Sequence, residues 1–253
     1  MYLVFPWAEA DLERYWREVH PEPTVDQPTV MWMADQCRGI ASAVVEIHKY
    51  VSSNSRLHVG MDGHQHPFAH HGDIKPKNVL WFPGCSGGTV PGQGTLTLSD
   101  FGLAKFNTQH TASMQPPSRV AGTPEYRAPE CDLREGGAIG RSYDIWTLGC
   151  LYLEFITWLL GGYELVEKFN DARRSPDPHW YQMATTTFFQ IERTSDTGEL
   201  RSTLKQPVIQ VSNAIPCEAS PRCVADYFFF SSSLLINFML MQRALPSSTN
   251  SWI

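Results

Sequence analysis

The most informative stretch of this sequence is His71-Gly72-Asp73-Ile74-Lys75-Pro76-Lys77-Asn78-Val79-Leu80. It places a carboxylate, an ammonium group and a carboxamide at fixed offsets in one loop. Two further blocks follow in the chain: Leu98-Ser99-Asp100-Phe101-Gly102 and Gly122-Thr123-Pro124-Glu125-Tyr126-Arg127-Ala128-Pro129-Glu130. Each block alone is weak evidence, because an aspartate in a polar loop is usually only solvated and Asp-Phe-Gly is a common turn-like tripeptide. The three blocks together, in this order and with compatible gaps, are highly specific.

In this order the blocks resemble the catalytic loop, the magnesium-binding Asp-Phe-Gly and the Ala-Pro-Glu of the eukaryotic protein kinases. A fourth block, Ser142-Tyr143-Asp144-Ile145-Trp146-Thr147-Leu148-Gly149, resembles the next motif of that family. Lys75 and Thr123 resemble the serine/threonine type. The resemblance implies a kinase that transfers the γ-phosphate of ATP to serine or threonine of protein substrates, with ATP and Mg²⁺ as cofactors.

The residue types fit that chemistry. Phosphoryl transfer needs an aligned nucleophile and neutralised phosphate charge more than covalent help. Asp73 can accept or orient a hydroxyl proton, and Lys75 can reach the transferring phosphate. Asn78 offers a neutral oxygen to a metal ion, and Asp100 offers the charged oxygen that magnesium prefers. We therefore expect Asp73 and Lys75 to be catalytic, and Asn78 and Asp100 to bind the metal and the nucleotide.

Residues 2–16 resemble the last N-lobe strand, the hinge and the first C-lobe helix of a kinase. The resemblance assigns ATP contacts to Phe5 as gatekeeper, to the Pro6 carbonyl, to the Ala8 amide, to Asp11 at the ribose and to Leu80 beneath the adenine. Without the resemblance, the N-terminal stretch fits an ordinary strand, turn and helix equally well.

With the hinge at residues 6–8, almost the whole N-lobe would be missing from the chain, including the Gly-rich loop, the strand lysine and the helix glutamate that kinases use together. We therefore expect a mainly α fold with a few short strands, a protein-kinase-like C-terminal lobe with a truncated N-lobe. The alternative function is a catalytically inactive kinase-like scaffold or interaction module. A partner that supplies or replaces the N-lobe is a further expectation.

The resemblance also assigns structural support to His71, Phe101, Gly102, Thr123, Glu130 and Asp144. It implies that His71 packs against Phe101, that Asp144 hydrogen-bonds the catalytic-loop backbone, and that Thr123 bridges Asp73 and Lys75. Glu130 would pair with an arginine near the C-terminus, for which Arg243 is the candidate. Gly72 stands where most family members carry an arginine that clasps a phosphorylated activation loop, which puts control by such phosphorylation in doubt.

Hydrophobic spacing predicts a long buried helix over residues 29–51 with Thr29 as its cap, and an apolar helix over residues 145–160 that ends at Gly161-Gly162. Further predicted elements are strands at residues 2–5, 79–82 and 95–99, a flexible connection at 83–94, a polar insertion at 52–70 and short helices at 164–170 and 178–193. The expected domain organisation is residues 1–16 as strand, hinge and first helix, residues 17–206 as the C-lobe with the activation segment at 100–130, and residues 207–253 as a divergent, partly disordered tail.

Bulk properties exclude several classes. The chain has 253 residues, a net charge of −6 and 18% charged residues, which does not suit a nucleic-acid binder. Its six cysteines lack metal-ligand spacing and indicate reduced thiols and a cytoplasmic location. Histidines cluster at positions 58, 64, 66, 70 and 71, where a solvated loop is favoured over a metal site. No membrane span is expected, because residues 145–160 and the apolar residues 227–241 both fall short of the ~20 that a span needs.

Overall fold

The computed structural model describes residues 5–49, 68–84, 93–107, 124–133, 140–178, 182–194 and 198–214. The α-helices are α1 (Leu12–Arg14), α2 (Gln27–Lys49), α3 (Glu130–Leu133), α4 (Arg141–Arg173) and α5 (Gln206–Ala214). A π-helical turn spans Tyr15–Val19, and 3₁₀ turns span Pro76–Asn78, Phe101–Leu103 and Pro124–Tyr126. The strands are β1 (Ala10–Asp11), β2 (Phe68–His70), β3 (Val79–Phe82), β4 (Thr95–Leu98), β5 (Lys105–Asn107), β6 (Ser175–Pro176), β7 (Ala184–Thr185), β8 (Phe189–Arg193) and β9 (Leu200–Leu204).

Helix α2 confirms the long buried helix that the hydrophobic spacing predicts. Its buried stripe includes Val30, Met33, Ile40 and Val44, at intervals of three, seven and four residues that keep them on one face. The predicted cap is wrong: the Asp26 carboxylate accepts a hydrogen bond from the Thr29 amide at 2.9 Å, so the acceptor that serves the first turn lies three residues earlier in the chain.

Helix α4 is two helices joined at a break. Gly161 and Gly162 have non-helical backbone angles, with φ at +71° for Gly162. This confirms both the predicted helix end at Gly161-Gly162 and the short helix at residues 164–170. By length and composition α4 could cross a membrane, but 83% of its most apolar window is buried inside the described fold, as in the core helix of a globular domain.

The small antiparallel sheet has the strand order β1-β3-β4. Strands β3 and β4 match the predicted pair, with Val79 opposite Leu98 and Phe82 opposite Thr95. Because the chain enters β3 and leaves β4 at the same edge, the residues that precede β3 and follow β4 are neighbours: the Ser99 amide donates to the Asn78 carbonyl at 2.8 Å. This edge carries the candidate site.

One predicted element is wrong, and the bounds of another are too wide. The predicted helix at residues 178–193 contains strands β7 and β8 in its described part, and β8 pairs with β9, with Phe189 opposite Leu204. The run Thr185-Thr186-Thr187-Phe188-Phe189 is β-branched and aromatic, which favours a strand. The end of the predicted insertion at 52–70 forms strand β2, which pairs with β5.

Buried aromatic side chains dominate the core around α2 and the first half of α4. Trp16, Trp32, Phe155 and Trp158 are each at most 1% exposed and lie in ring contact with one another. A second cluster joins Ala128 and Trp146 to Phe188 and Leu204, and it anchors the turn that precedes α3. The predictions for residues 2–4, Thr123, Arg243 and residues 227–241 lie outside the described residues.

Candidate active site

Asp73, Lys75 and Asn78 meet at one carboxylate oxygen. The Asn78 Nδ2 donates to Asp73 Oδ2 at 2.9 Å and to the Asp73 carbonyl at 2.8 Å. The Lys75 Nζ lies 2.8 Å from the same Oδ2. The 3₁₀ turn Pro76–Asn78, closed by the Asn78 amide on the Lys75 carbonyl at 3.0 Å, returns Asn78 to Asp73. The Asp73 side chain remains 11% exposed, so a solvent-borne hydroxyl can approach a carboxylate that is otherwise held in place.

Asn78 and Asp100 together offer oxygen ligands at one sheet edge. Because Asp73 takes the Asn78 amide nitrogen, the Asn78 Oδ1 lies on the opposite side of the carboxamide. Asp100 follows β4 with an exposed side chain, and its Oδ1 accepts from the Gly102 amide at 3.1 Å. One carboxamide and one carboxylate oxygen fit Mg²⁺, which in phosphoryl-transfer sites takes few protein ligands and completes its shell with phosphates and water. No group of three or more His, Cys, Asp or Glu residues suited to a metal occurs in the described part of the chain.

The backbone of the catalytic loop is held by Asp144, at the start of α4. This fully buried carboxylate accepts from the His71 amide at 2.7 Å, from the Gly72 amide at 2.8 Å and from His48 Nε2 at 2.8 Å. The two amide bonds are those that the resemblance implies for Asp144. His48 was missed by the sequence analysis, although a polar residue one turn after Val44 on the buried side of α2 was a usable signal.

His71 links the loop to the Asp-Phe-Gly block. Its ring is fully buried and packs against Phe101 with a centroid distance of 5.2 Å. Its Nε2 lies 3.0 Å from the Ser99 carbonyl, and the Asp73 amide donates to its Nδ1 at 3.3 Å. A carbonyl can only accept and an amide only donate, so these partners assign the ring proton to Nε2. The His71 ring therefore connects the backbone of Asp73 to that of Ser99, the residue before Asp100.

Gly72 occupies a conformation that other residues avoid. It is buried with φ at +82°, and a Cβ built on it would lie 3.2 Å from the Leu103 carbonyl oxygen. A glycine here therefore lets the loop pass close to the 3₁₀ turn Phe101–Leu103 without strain.

The predicted ATP-contact residues are brought together only in part. Strand β1 sets Asp11 opposite Leu80, on the strand that follows the catalytic loop. The Asp11 carboxylate also accepts from the Arg14 amide at 2.8 Å and so caps α1. Phe5 is 76% exposed and Pro6 is also exposed, so the described residues do not enclose them.

The turn before α3 is tied to α4 by a buried polar network. The Tyr126 hydroxyl donates to Glu154, whose other oxygen accepts from Arg173 at 2.9 Å. Burial and then the Glu154 carboxylate raise the pKa of Tyr126 well above its ordinary value, so the phenol stays the donor. Arg127, directly after the turn, pairs with Asp132 in α3 at 2.9 Å. No spacing pattern in the sequence predicts these pairs, although Glu154 inside an apolar run is a signal for a buried ion pair.

Glu130 begins α3 and is half-buried. Ser142 donates to its Oε1 at 3.4 Å. The arginine predicted to pair with it, Arg243, lies outside the described residues, so that pairing stays a prediction.

Residues 42–202 match the family model of the protein kinase domain. The chain is also similar to serine/threonine-protein kinase ppk23 of Schizosaccharomyces pombe, with 34% identity over 94 residues, which are 37% of this chain and 20% of that protein. It is 36% identical over 84 residues to human serine/threonine-protein kinase Sgk1, covering 33% of this chain and 16% of that protein. It is 38% identical over 87 residues to serine/threonine-protein kinase YPK2/YKR2 of Saccharomyces cerevisiae, covering 34% of this chain and 11% of that protein.

The matched segment therefore spans a fifth or less of the length of these relatives. The family model, by contrast, covers more than half of the chain, and its bounds include the catalytic loop, Asp100, the turn before α3 and Asp144. The chain belongs to the protein kinase family, and the relatives that it matches are kinases of the serine/threonine type.

Proposed function

We propose that this chain is a serine/threonine protein kinase domain that transfers the γ-phosphate of ATP to a serine or threonine hydroxyl of a protein. The observation that carries the proposal is the shared Asp73 oxygen, which Asn78 and Lys75 hold at 2.9 Å and 2.8 Å. A carboxylate fixed in this way, next to a cation and beside a pair of oxygen ligands, is the set that phosphoryl transfer needs.

In the proposed reaction, Asp73 orients the substrate hydroxyl and takes its proton as the hydroxyl oxygen bonds to the γ-phosphorus, while the bond from that phosphorus to the β,γ-bridging oxygen breaks and ADP leaves. Lys75 stabilises the negative charge on the transferring phosphoryl oxygens, since its ammonium group already lies beside Asp73. Asn78 and Asp100 would hold Mg²⁺, which neutralises phosphate charge when bound. Leu80 and Asp11, opposite each other in the sheet, would contact the adenine and the ribose, while Pro6 and Ala8 would offer backbone groups to the adenine edge beside Phe5 as gatekeeper.

The test is phosphate transfer from MgATP to a generic protein substrate by the purified chain. Asp73→Asn keeps the shape and the hydrogen bond from Asn78 but removes the base, so transfer should fall by about a hundredfold or more. Asp35→Asn is the matched control, because Asp35 lies on α2 and pairs with Arg38 away from the loop, and it should retain the parental rate. Transfer that is unchanged in Asp73→Asn would contradict the proposal.

A second candidate is a kinase-like scaffold or interaction module without catalysis. The observation that favours it is the exposure of Phe5 and Trp7, at 76% and 89%, since adjacent exposed aromatic side chains suit a protein interface. A partner protein would dock there. If the chain transfers no phosphate by itself, and a Trp7→Ser variant loses a partner that the parent chain retains, this second candidate takes precedence.

A further inference from the structure

Ser99 connects the two residues that offer oxygen ligands at the sheet edge. It lies directly before Asp100 in the chain, one residue beyond the pair that Leu98 forms with Val79. The Asn78 carbonyl accepts from the Ser99 amide at 2.8 Å and from the Ser99 hydroxyl at 2.9 Å. Any residue except proline supplies the amide bond, but the second bond requires a side-chain donor such as a hydroxyl. The hydroxyl of Ser99 therefore adds a bond of its own between the residues that carry the two ligands.

The hydrogen bonds of Asn78 leave one of its polar atoms for a ligand. Its amide donates to the Lys75 carbonyl at 3.0 Å, and its carbonyl accepts from Ser99. Its Nδ2 donates to the carbonyl and to Oδ2 of Asp73. Among the described residues none donates to the Asn78 Oδ1. Because Asn78 is only 6% exposed, the bonds of its other three polar groups fix the direction of this oxygen.

Asp100 has a backbone conformation that needs support from its neighbours. Its φ of 62° and ψ of 74° lie in the left-handed region, which residues other than glycine seldom adopt. Such a conformation persists where the surrounding contacts determine it. After Asp100, the Gly102 amide donates to its Oδ1 at 3.1 Å. Before Asp100, Ser99 is held by its two bonds to Asn78 and by its carbonyl, which lies 3.0 Å from His71 Nε2.

We propose that Ser99 is a positioning residue, whose hydroxyl fixes the Asn78 and Asp100 oxygens relative to each other and so makes the site selective for Mg²⁺ over Ca²⁺. Mg²⁺ requires near-ideal octahedral geometry with short bonds, whereas Ca²⁺ accepts longer bonds and less regular shells. Groups that orient metal ligands without touching the metal change its affinity. Loss of the hydroxyl should therefore weaken Mg²⁺ binding more than Ca²⁺ binding. The inference rests on the proposed function for the role of Asn78 and Asp100 as ligands.

The test measures nucleotide binding, which does not require phosphate transfer. Fluorescent N-methylanthraniloyl-ADP is titrated with the full chain in EDTA, in saturating Mg²⁺ and in saturating Ca²⁺, and fluorescence anisotropy gives the dissociation constants. For the parent chain, ADP should bind more tightly in Mg²⁺ than in Ca²⁺, and least tightly in EDTA. Asp100→Asn removes the carboxylate ligand and should abolish most of the gain in affinity that either metal gives.

Ser99→Ala keeps the backbone bonds and removes the hydroxyl. It should reduce the gain in ADP affinity with Mg²⁺ by about three- to tenfold, as expected for one lost hydrogen bond, and the gain with Ca²⁺ by less. Binding in EDTA should be unchanged, which separates positioning of the metal ligands from general damage to the fold. Ser99→Thr keeps the hydroxyl and should restore the gain with Mg²⁺.

Ser42→Ala is the matched control. The Ser42 hydroxyl also donates to a backbone carbonyl at 2.9 Å, that of Arg38, but it lies on the exposed face of α2. All three dissociation constants of this variant should stay at the parental values.

An unchanged gain with Mg²⁺ in Ser99→Ala, an equal loss with Mg²⁺ and Ca²⁺, or a failure of Ser99→Thr to restore the gain would overturn the inference. ADP binding by the parent chain that does not respond to Mg²⁺ would overturn it as well. Asp73-dependent transfer together with an unaltered Mg²⁺ response in Ser99→Ala would leave the kinase proposal standing and remove only this one. A Ser99-dependent gain with Mg²⁺ in a chain without transfer would support the positioning role and contradict the kinase proposal.

Discussion

At the scale of single residues, one buried carboxylate sets the geometry of the candidate site. Asp144 is fully buried, and such a charge is tolerated only when hydrogen bonds replace its hydration. Its three donors come from His48 on α2 and from the amides of His71 and Gly72. The core helices therefore position Asp73 through the backbone that precedes it.

Gly72 allows the catalytic loop to adopt the backbone conformation in which its amides reach Asp144. Replacing this glycine should therefore lower the stability of the fold. Gly72→Ala places a Cβ at a φ of +82° and 3.2 Å from the Leu103 carbonyl, so the free energy of unfolding should fall by about 1–2 kcal/mol. Gly39→Ala is the control, since Gly39 lies inside α2 with no atom within 4 Å of an added Cβ, and it should raise stability by roughly 0.5–1 kcal/mol. Urea unfolding of both variants measures the difference. A Gly72→Ala chain as stable as its parent would show that the backbone relaxes at this position.

At the scale of elements, the break in α4 changes the direction of the helix, so that its two halves pack in different parts of the molecule. The half before Gly161 carries Asp144 and packs in the aromatic core. The half after Gly162 carries Arg173, which reaches back to Glu154 and stacks 3.8 Å from the centre of the Phe188 ring. A straight helix would carry Arg173 along the axis of the first half, away from Glu154.

The break in α4 depends on Gly162. Comparing Gly162→Ala with Gly161→Ala tests this dependence, because the two glycines are adjacent. Gly162 has a φ of +71°, and a Cβ there would overlap the Pro21 carbonyl, which the Tyr163 amide also meets at 2.8 Å. Gly162→Ala should therefore lower the free energy of unfolding by about 2 kcal/mol or more. Gly161→Ala should have a smaller effect, because its φ of −159° is open to other residues, and the added Cβ would meet the Leu165 side chain (2.6 Å from Cδ2 and 3.0 Å from Cβ) rather than a backbone carbonyl. Equal losses in urea unfolding at the two positions would rule out the positive φ as the cause.

At the scale of the whole molecule, the sequence predicts the elements and motifs that are set by neighbouring residues. It does not predict contacts between residues that are far apart in the chain. Helix α2 and strands β3 and β4 follow from hydrophobic spacing and motif position, and the residues of the catalytic loop are contiguous. The link between Arg173 and Glu154 joins residues 19 apart across a helix break, and no spacing rule relates them. The β-branched and aromatic residues up to Phe189 are a local strand signal, but the pairing of β8 with β9 is visible only in the fold.

The buried thiols and phenols of the described residues predict a loss of stability in alkali. Burial raises the pKa of Cys37 above its ordinary value of 9.0, and it raises the pKa of Cys150 in the same way. Burial also raises the pKa values of Tyr15, Tyr126, Tyr143 and Tyr152 above 10.0. Groups with raised pKa values keep their protons in the folded state and lose them on unfolding, so the stability that they contribute is complete below about pH 9 and declines above it.

Lys205 acts in the opposite direction. Burial, then Arg173, lowers its pKa from 10.5 to about 8, so the unfolded state binds more protons between those values and stability gains as pH rises. One lysine opposes two fully buried thiols, each of which contributes a slope of about 1.4 kcal/mol per pH unit above its ordinary pKa. The net free energy of unfolding should therefore fall above about pH 9. Urea unfolding across this range under reducing conditions measures it. Cys37→Ala should lower stability at neutral pH but decline less steeply, whereas stability that rises through pH 9 to 10 would show that Lys205 outweighs the thiols.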